Sequence, residues 1–276
     1  MKLAVSMWSV HALAFGGKMD VADFIRYSAT LPVQGVELLD CFWKDMEKEI
    51  AQVNKLTEEY GLQVACYAIG NNFVNTDADA RRAEVQKVKD AVDVAKRLNT
   101  KVVRVFSGDA TEGVEFAVAR EWIIAGLKEG AEYAAQHGIN LALENHGLFA
   151  GRAEQIEEII REINNPYFGS TFDTGNFLLV NDEPTQAIKR LANMVKHVHV
   201  KDFAEVDASY TGQTYVGIDQ RRFIGTVALE GSVDLRSIFA DLRQANYSGW
   251  LSLEYEGPGD PQKGTEDSLN ALAEIL

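Results

Sequence analysis

Four short apolar runs in the second half of the chain each end in a side chain that can bind a metal ion. The runs are NLALE ending at Glu144, GSTFD ending at Asp173, VKHVH ending at His199 and WLSLE ending at Glu254. An apolar run of this length between turn signals predicts a buried parallel strand, and α/β enzymes place their chemistry at the ends of such strands. One charged residue at a strand end is ordinary, but four at successive strand ends indicate a shared site.

Three carboxylates and one imidazole form a donor set that is rich in oxygen. Such a set suits a hard or borderline divalent ion such as Mn²⁺, Mg²⁺ or Co²⁺ better than it suits structural zinc. The sequence therefore predicts one divalent metal ion as the cofactor, with Zn²⁺ as a further choice.

Strand-like and helix-like segments alternate along the whole chain, and the helix-like ones have apolar residues at three- and four-residue spacing. The predicted strands are approximately Leu3–Met7, Gly35–Leu39, Gln63–Tyr67, Lys101–Phe106, Ile139–Glu144, Phe168–Asp173, Val195–Val200 and Gly249–Glu254. The predicted helices are Val21–Ala29, Trp43–Tyr60, Asp77–Leu98, Val114–His137, Ala153–Ile163, Pro184–Met194, Leu235–Ala245 and Pro261–Ile275. Strict alternation implies a parallel sheet with right-handed crossovers. Eight such units predict the α/β class and a single (β/α)₈ TIM barrel, with residues 1–276 as one domain.

The alternative fold is an open, doubly wound sheet. The segment after the first predicted strand, SVHALAFGG at residues 9–17, lacks the GxGxxG pattern of dinucleotide-binding sheets, so the closed barrel is favoured.

The longest predicted connection runs from Phe203 to Gly231 and contains aromatic residues together with Arg221 and Arg222. Long loops in compact domains are often functional, and we expect this one to close over a bound substrate.

Composition and charge exclude several classes of partner. The formal net charge is −14 over 276 residues, which opposes binding to nucleic acid or to an anionic membrane. The chain shows no signal-peptide pattern and no apolar run long enough to span a membrane. We therefore expect a cytoplasmic protein, and the sequence leaves a homo-oligomer open. Cys41 and Cys66 lack CxxC spacing and are expected to be buried free thiols.

Four motifs carry a resemblance to a known family. They are LALENH at residues 141–146, TFDTGN at 171–176, HVHVKD at 197–202 and GWLSLE at 249–254. With these motifs the whole chain resembles the sugar isomerase/epimerase family with the xylose-isomerase-like TIM barrel. Members include ketose 3-epimerases of the tagatose epimerase type, hydroxypyruvate isomerases, inosose dehydratases and distant AP endonucleases. The combination is specific for the superfamily and not for a substrate.

The resemblance implies a role for each matching position. Glu144, Asp173, His199 and Glu254 would hold a single metal ion, and Glu144 and Glu254 would also be the acid/base pair. Asn176 falls where several members place a second polar ligand or a substrate contact, and Lys201, in the motif of the metal histidine, would face the carbohydrate substrate. Earlier strand ends offer contacts for sugar hydroxyls and apolar walls, namely Glu37, Asn71 and Ser107 for the former and Trp8 and Phe73 for the latter.

Each of three further side chains has two possible roles. His146 is expected either to bind substrate or to support a ligand through a hydrogen bond. Arg221, with its neighbour Arg222, would either bind a phosphate or lie in a solvated loop. His197 shares strand parity with His199, and a buried, hydrogen-bonded histidine is favoured over a second ligand.

A metal ion with two carboxylates fits proton transfer next to a carbonyl. The ion stabilises an enediolate as a Lewis acid, and a carboxylate on each face of the sugar lets a proton leave from one side and return to the other. The predicted function is a metal-dependent sugar isomerase or epimerase. The alternative is a dehydratase that acts on a keto-inositol or a 3-keto sugar with the same metal site. A DNA-repair endonuclease is disfavoured, because it needs a multinuclear site with many histidines and the chain has five.

Overall fold

Eight parallel strands close into a barrel in the computed structural model, which describes residues 1–276. The strands in chain order are β1 (Lys2–Ser6), β2 (Gly35–Leu39), β3 (Gln63–Ala68), β4 (Val102–Val105), β5 (Asn140–Glu144), β6 (Phe168–Asp173), β7 (Val195–Val200), β8 (Phe203–Val206), β9 (Tyr215–Val216), β10 (Arg222–Gly225) and β11 (Trp250–Leu253). The barrel order is β1-β11-β7-β6-β5-β4-β3-β2, and β8, β9 and β10 form a separate sheet. The predicted (β/α)₈ barrel is confirmed.

Helices surround the barrel, and all of them except the short α1 bury apolar residues in the core. They are α1 (His11–Phe15), α2 (Val21–Ser28), α3 (Met46–Tyr60), α4 (Ala78–Arg97), α5 (Phe116–Gln136), α6 (Ala153–Ile163), α7 (Asn176–Leu179), α8 (Pro184–Leu191), α9 (Leu235–Gln244) and α10 (Pro261–Ala273). None of them combines the length and the apolar character needed to cross a membrane. The short helices α1 and α7 follow strand ends and have no counterpart in the sequence prediction.

Capping residues set the helix bounds and correct the predicted ones. Helix α3 was expected from Trp43 but begins at Met46, because the side chain of Asp45 accepts a hydrogen bond from the backbone N–H of Lys48. The same helix ends where expected, since Gly61 adopts φ of 68°, a left-handed conformation that favours glycine.

The four strands that carry the predicted metal ligands are neighbours in the barrel, in the order β11-β7-β6-β5. Asp173 on β6 is in register with His199 on β7, and Ser252 on β11 is in register with the same histidine. Parallel strands in register end at one rim of the barrel. The topology therefore brings the four predicted ligands to one place.

The connection predicted as a lid loop contains a small antiparallel sheet. Strand β10 lies between β8 and β9, and the rings of Phe203 and Tyr215 pack with centroids 5.1 Å apart. The segment is therefore a folded strap across the barrel rim. The helical and strand periodicities do not predict it because its strands have only two to four residues.

Candidate active site

The side chains of Glu144, Asp173, His199 and Glu254 converge at the carboxyl ends of their strands. One ligand atom from each lies within 4.8 Å of the others, and all four residues are buried. Nδ1 of His199 is 3.3 Å from Oε2 of Glu144, 3.5 Å from Oε1 of Glu254 and 4.0 Å from Oδ2 of Asp173. The structure thus brings together all four residues predicted from the strand ends.

Three of these converging atoms have no hydrogen-bond partner. They are Oε2 of Glu144, Oδ2 of Asp173 and Nδ1 of His199. A buried polar atom without a partner is rare and costs about 1–3 kcal/mol, so three in one cluster need an explanation. A cation between them supplies it, and the donor set fits one divalent ion.

Backbone donors fix the orientation of Asp173. Its Oδ1 accepts hydrogen bonds from the backbone N–H groups of Gly175 at 2.9 Å and Asn176 at 2.8 Å, where α7 begins. These bonds leave Oδ2 directed at the cluster. Nδ2 of Asn176 also donates to Oε1 of Glu144 at 3.1 Å, so the same short helix orients two of the four predicted ligands.

Glu37 supports the cluster from across the barrel. Its Oε1 lies 2.9 Å from Nε2 of His199, and its Oε2 lies 2.7 Å from Nε2 of His197. An ionised carboxylate only accepts hydrogen bonds, so both imidazoles donate through Nε2 and the lone pair of a neutral His199 lies on Nδ1. The expectation that Glu37 contacts a sugar hydroxyl is wrong, because Glu37 is fully buried and both of its oxygens are occupied.

Lys201 lies among the carboxylates. Its Nζ is 3.1 Å from Oε1 of Glu256, 3.2 Å from Oδ2 of Asp173 and 3.3 Å from Oε2 of Glu254. These neighbours outweigh burial and hold the pKa of Lys201 well above its ordinary value. The lysine reaches the cavity as predicted, and its ammonium charge offsets part of the negative charge there.

Burial and neighbouring charges shift the pKa values of Glu144 and Glu254 in opposite directions. Burial raises the pKa of Glu254 to about 7, with His199 and Lys201 opposing the rise and Glu144 adding to it. Burial acts in the same sense on Glu144, but the charges of His199 and Arg104 outweigh it and hold the pKa of Glu144 well below its usual range. A divalent cation between these carboxylates would favour their ionised forms.

A cavity of about 390 Å³ opens above the cluster. Four of the predicted substrate contacts line it, namely Trp8, His146, Asn176 and Lys201. The rings of Trp8 and Phe106 provide apolar walls, and carboxylates and amides provide polar groups. Such a mixture of apolar walls and a few convergent polar groups is typical of small-molecule sites.

A family model described as the xylose isomerase-like TIM barrel matches residues 25–275. The chain belongs to this family. The resemblance carried by the strand-end motifs is therefore confirmed at the level of the family.

Two proteins that are similar in sequence are both inosose dehydratases. The inosose dehydratase of Mesomycoplasma hyopneumoniae (strain J) is 26% identical over 266 residues, which are 90% of this chain and 84% of that protein. A match to the inosose dehydratase of Clostridium botulinum (strain Alaska E43) spans about half of each protein, 49% of this chain and 47% of the other.

Two solved structures share the fold over the whole chain. The structure of the IOLI protein with a bound zinc atom has a TM-score of 0.80 at 14% identity and covers 100% of this chain and 98% of the other. A D-tagatose 3-epimerase-like protein has a TM-score of 0.76 at 21% identity, with the same coverage of 100% and 98%.

Two predicted substrate contacts lie outside the cavity. Asn71 is buried, and its amide donates to the carbonyl of Phe106 and accepts from the backbone N–H of the same residue, each at 2.8 Å. Arg221 lies on the strap, where it pairs with Asp219 at 2.7 Å and lies 3.7 Å from Glu205. The first therefore ties two strand ends together and the second stabilises the strap, so neither is placed to bind a sugar in the cavity.

Two other expectations concern residues next to the site. Ser107 and Phe73 are fully buried and do not line the cavity. Cys41 was expected to be buried, but it is exposed and lines the cavity, because it lies in a short 3₁₀ turn after β2. Cys66 is buried as predicted.

Arg104 and Glu256 line the cavity but were missed. Each had a signal in the sequence. Arg104 interrupts the apolar run of β4, VVRVF, and a charge within a buried strand requires a partner. Glu256 follows Glu254 by two residues and therefore shares its strand parity.

Proposed function

We propose that the protein is a divalent-metal-dependent enzyme that moves a proton at the carbon next to the carbonyl of a small carbohydrate, as an isomerase or epimerase. The observation that carries this proposal is the convergence of Glu144, Asp173, His199 and Glu254, where three buried atoms lack a hydrogen-bond partner. Membership of the xylose isomerase-like family and the likeness to an epimerase-like structure support it.

The four converging residues would hold the ion. Their oxygen-rich donor set favours Mn²⁺, Mg²⁺ or Co²⁺, and the zinc atom of the IOLI structure keeps Zn²⁺ as a choice. When bound, the ion would supply Lewis-acid polarisation of the substrate's carbonyl and adjacent hydroxyl oxygens.

Glu144 and Glu254 are the proposed acid/base pair. They approach the cluster from β5 and from the end of β11, with the strands of Asp173 and His199 between them, so they are separated around the barrel rim. One carboxylate accepts the proton from the substrate carbon, and the other returns a proton on the opposite face in an epimerase. In an isomerase a single carboxylate carries the proton between adjacent carbons.

A dehydratase that acts on a keto-inositol is the second candidate. The observation in its favour is the similarity to an inosose dehydratase over 90% of the chain. Its first step is the same removal of a proton next to the carbonyl. The second carboxylic acid would then protonate a leaving hydroxyl, which departs as water, instead of returning a proton to carbon.

One experiment tests the shared first step and separates the two outcomes. The metal-loaded protein is incubated in D₂O with D-tagatose, D-fructose and 2-keto-myo-inositol, and NMR follows deuterium at carbon together with loss of water. Deuterium incorporation without water loss supports an isomerase or epimerase, and water loss supports a dehydratase. Asp173→Asn is the matched inactive control. An absence of metal-dependent exchange with every one of these substrates would contradict the proposed function.

A further inference from the structure

Two cationic side chains, Lys201 and Arg104, line the cavity, and they differ in how the protein pairs their charges. The ammonium of Lys201 has three N–H groups and lies within 3.3 Å of three carboxylates, those of Asp173, Glu254 and Glu256. Its charge is therefore shared among three protein carboxylates, and its Nζ also donates to Oδ1 of Asn176 at 3.5 Å. Arg104 is the other cation of the cavity wall.

The guanidinium of Arg104 is held rigidly in the wall of the cavity. Nη1 donates to the carbonyl of Ile69 at 2.8 Å, and the group stacks on the ring of Phe106 with 4.1 Å between Cζ and the ring centroid. The residue is only 4% exposed. Two fixed contacts on a buried planar group leave it little freedom to move.

Two nitrogens of this guanidinium remain without a hydrogen bond. Nε is buried and lies 3.1 Å from Oε2 of Glu144, but the angle does not allow a hydrogen bond. Nη2 makes no hydrogen bond to the protein and is not fully buried, and Arg104 lines the cavity. A buried arginine that serves only to balance charge would satisfy its donors within the protein.

The position of Arg104 matches the place where charge would develop. Oε2 of Glu144 lies 3.1 Å from Nε of Arg104 and 3.3 Å from Nδ1 of His199. The guanidinium therefore borders the point that the four converging residues surround. A substrate oxygen bound beside the four converging residues would therefore lie next to the guanidinium.

We propose that Arg104 is a catalytic residue that donates a hydrogen bond to the substrate oxygen on which negative charge develops. This inference rests on the proposed function. When a carboxylate takes the proton from the carbon next to the carbonyl, the C–H electron pair forms a carbon–carbon double bond and the carbonyl electrons move onto oxygen. Arg104 gives up no proton and stabilises that charge, in epimerisation, isomerisation and dehydration alike. A fixed donor in a buried site is suited to this task because it needs no reorganisation during the reaction.

Arg104→Met tests the proposal, with Arg120→Met as the matched control. Arg120 pairs with Glu162 on the outer helices, so its loss removes an arginine–glutamate pair far from the cavity. The probes are glycolohydroxamate, a planar anion shaped like an enediolate, and myo-inositol, a neutral polyol. Calorimetry measures the binding of both to the metal-loaded proteins, and metal content is measured on the same samples.

We expect Arg104→Met to weaken hydroxamate binding by about 100-fold, the usual cost of losing one donor to an oxyanion, and to change myo-inositol binding by less than about threefold. Deuterium exchange should show a similar fall in kcat with little change in KM. Equal losses of affinity for both probes, or no loss for either, would overturn the proposal.

Should Arg104→Met lose its metal or its fold, Arg104→Lys decides the question, because it keeps the charge and loses the planar fork. We then expect selective weakening of hydroxamate binding, and unchanged binding contradicts the role.

The two proposals fail in different ways. If the wild-type protein shows no metal-dependent exchange, the proposed function fails. If the wild-type protein exchanges deuterium at the substrate carbon and Arg104→Met does so equally fast with full metal content, only the proposed role of Arg104 fails.

Discussion

Glu37 and His199 form a fully buried hydrogen bond, with 2.9 Å between Oε1 and Nε2, and this bond determines which imidazole nitrogen faces the carboxylate cluster. The second oxygen of the carboxylate holds His197 in the same way. Burial would lower the pKa of His199, but Glu254, Glu37 and Glu144 hold it well above its ordinary value. A metal ion bound at Nδ1 would therefore compete with a proton.

Glu37→Gln should weaken metal binding without removing any proposed ligand. The amide keeps the size of the side chain but cannot accept from both imidazoles through two oxygens, so the ring of His199 loses its fixed orientation. Loss of such a supporting group typically costs about 10–100-fold in metal affinity. Competition with a chelating dye measures the affinity, and Glu47→Gln on the surface is the control. Equal affinities in all three proteins would show that Glu37 does not position the histidine.

Removal of the metal should lower both activity and stability. An ion that binds only the folded state at about 100 times its Kd adds ~2.7 kcal/mol to the free energy of unfolding, which for a chain of this size raises Tm by roughly 5–10 °C. Calorimetry before and after chelation, and again after Mn²⁺ or Co²⁺ is added, measures the shift in Tm. Asp173→Asn keeps an acceptor for the backbone N–H groups of Gly175 and Asn176 and should show no shift. A shift in that variant would place the ion elsewhere.

Glu144→Gln and Glu254→Gln should each abolish most proton exchange at the substrate carbon. Glutamine keeps one oxygen for a ligand but does not accept the proton, so deuterium incorporation should fall by roughly 100-fold or more. Metal content, measured on the same samples, separates loss of the base from loss of the ion. If one variant exchanges deuterium but forms no product, that glutamate acts in the second step. Near-normal exchange in both variants with full metal would rule out the assignment.

The ring of Tyr215 connects the strap formed by β8, β9 and β10 to the cavity. Tyr215→Ala should raise KM and leave kcat nearly unchanged, because the ring contributes binding that is equal in the ground and transition states. A tenfold rise would correspond to about 1.4 kcal/mol of lost binding. Tyr60→Ala on the exposed side of α3 is the control. Unchanged kinetics with full metal content would mean that the strap does not cover the substrate.

The sequence predicts the barrel and the four converging residues because both depend on local patterns. The apolar runs before Glu144, Asp173 and Glu254 mark strands, and parallel strands end at one rim. The role of Glu37 depends on closure of the barrel, since its strand β2 contacts β7 only across the interior. No local pattern contains that contact, so the sequence places Glu37 on a strand but does not predict that it lies inside the barrel against two histidines.

The errors on the strap and on β4 have a different cause. Arg221 has suitable chemistry for an anion, but Asp219 and Glu205 lie close enough to bind it, and a short antiparallel sheet sets those distances. Arg104 was overlooked because a strand pattern describes burial and not the direction of an ionic group. The helical and strand periods therefore locate the site, and the partners of its charged residues come only from the structure.

Asp202, the last residue of the HVHVKD motif, should prove structural. Its carboxylate accepts hydrogen bonds from the backbone N–H groups of Leu229 and Gly231 at 3.0 Å and Val233 at 3.1 Å, and it is only 3% exposed. Asp202→Ala leaves these donors unpaired and should lower the free energy of unfolding by at least about 2 kcal/mol.

Denaturant unfolding measures that loss, and Asp202→Asn should lose less because its amide oxygen still accepts one of the bonds. Asp207→Ala on the exposed part of the strap is the control. Metal affinity should stay within about twofold of the wild-type value in every variant that folds, because Asp202 does not line the cavity and a change that removes no ligand or ligand support leaves affinity intact. A variant that kept its stability but lost its metal would instead assign Asp202 to the active site.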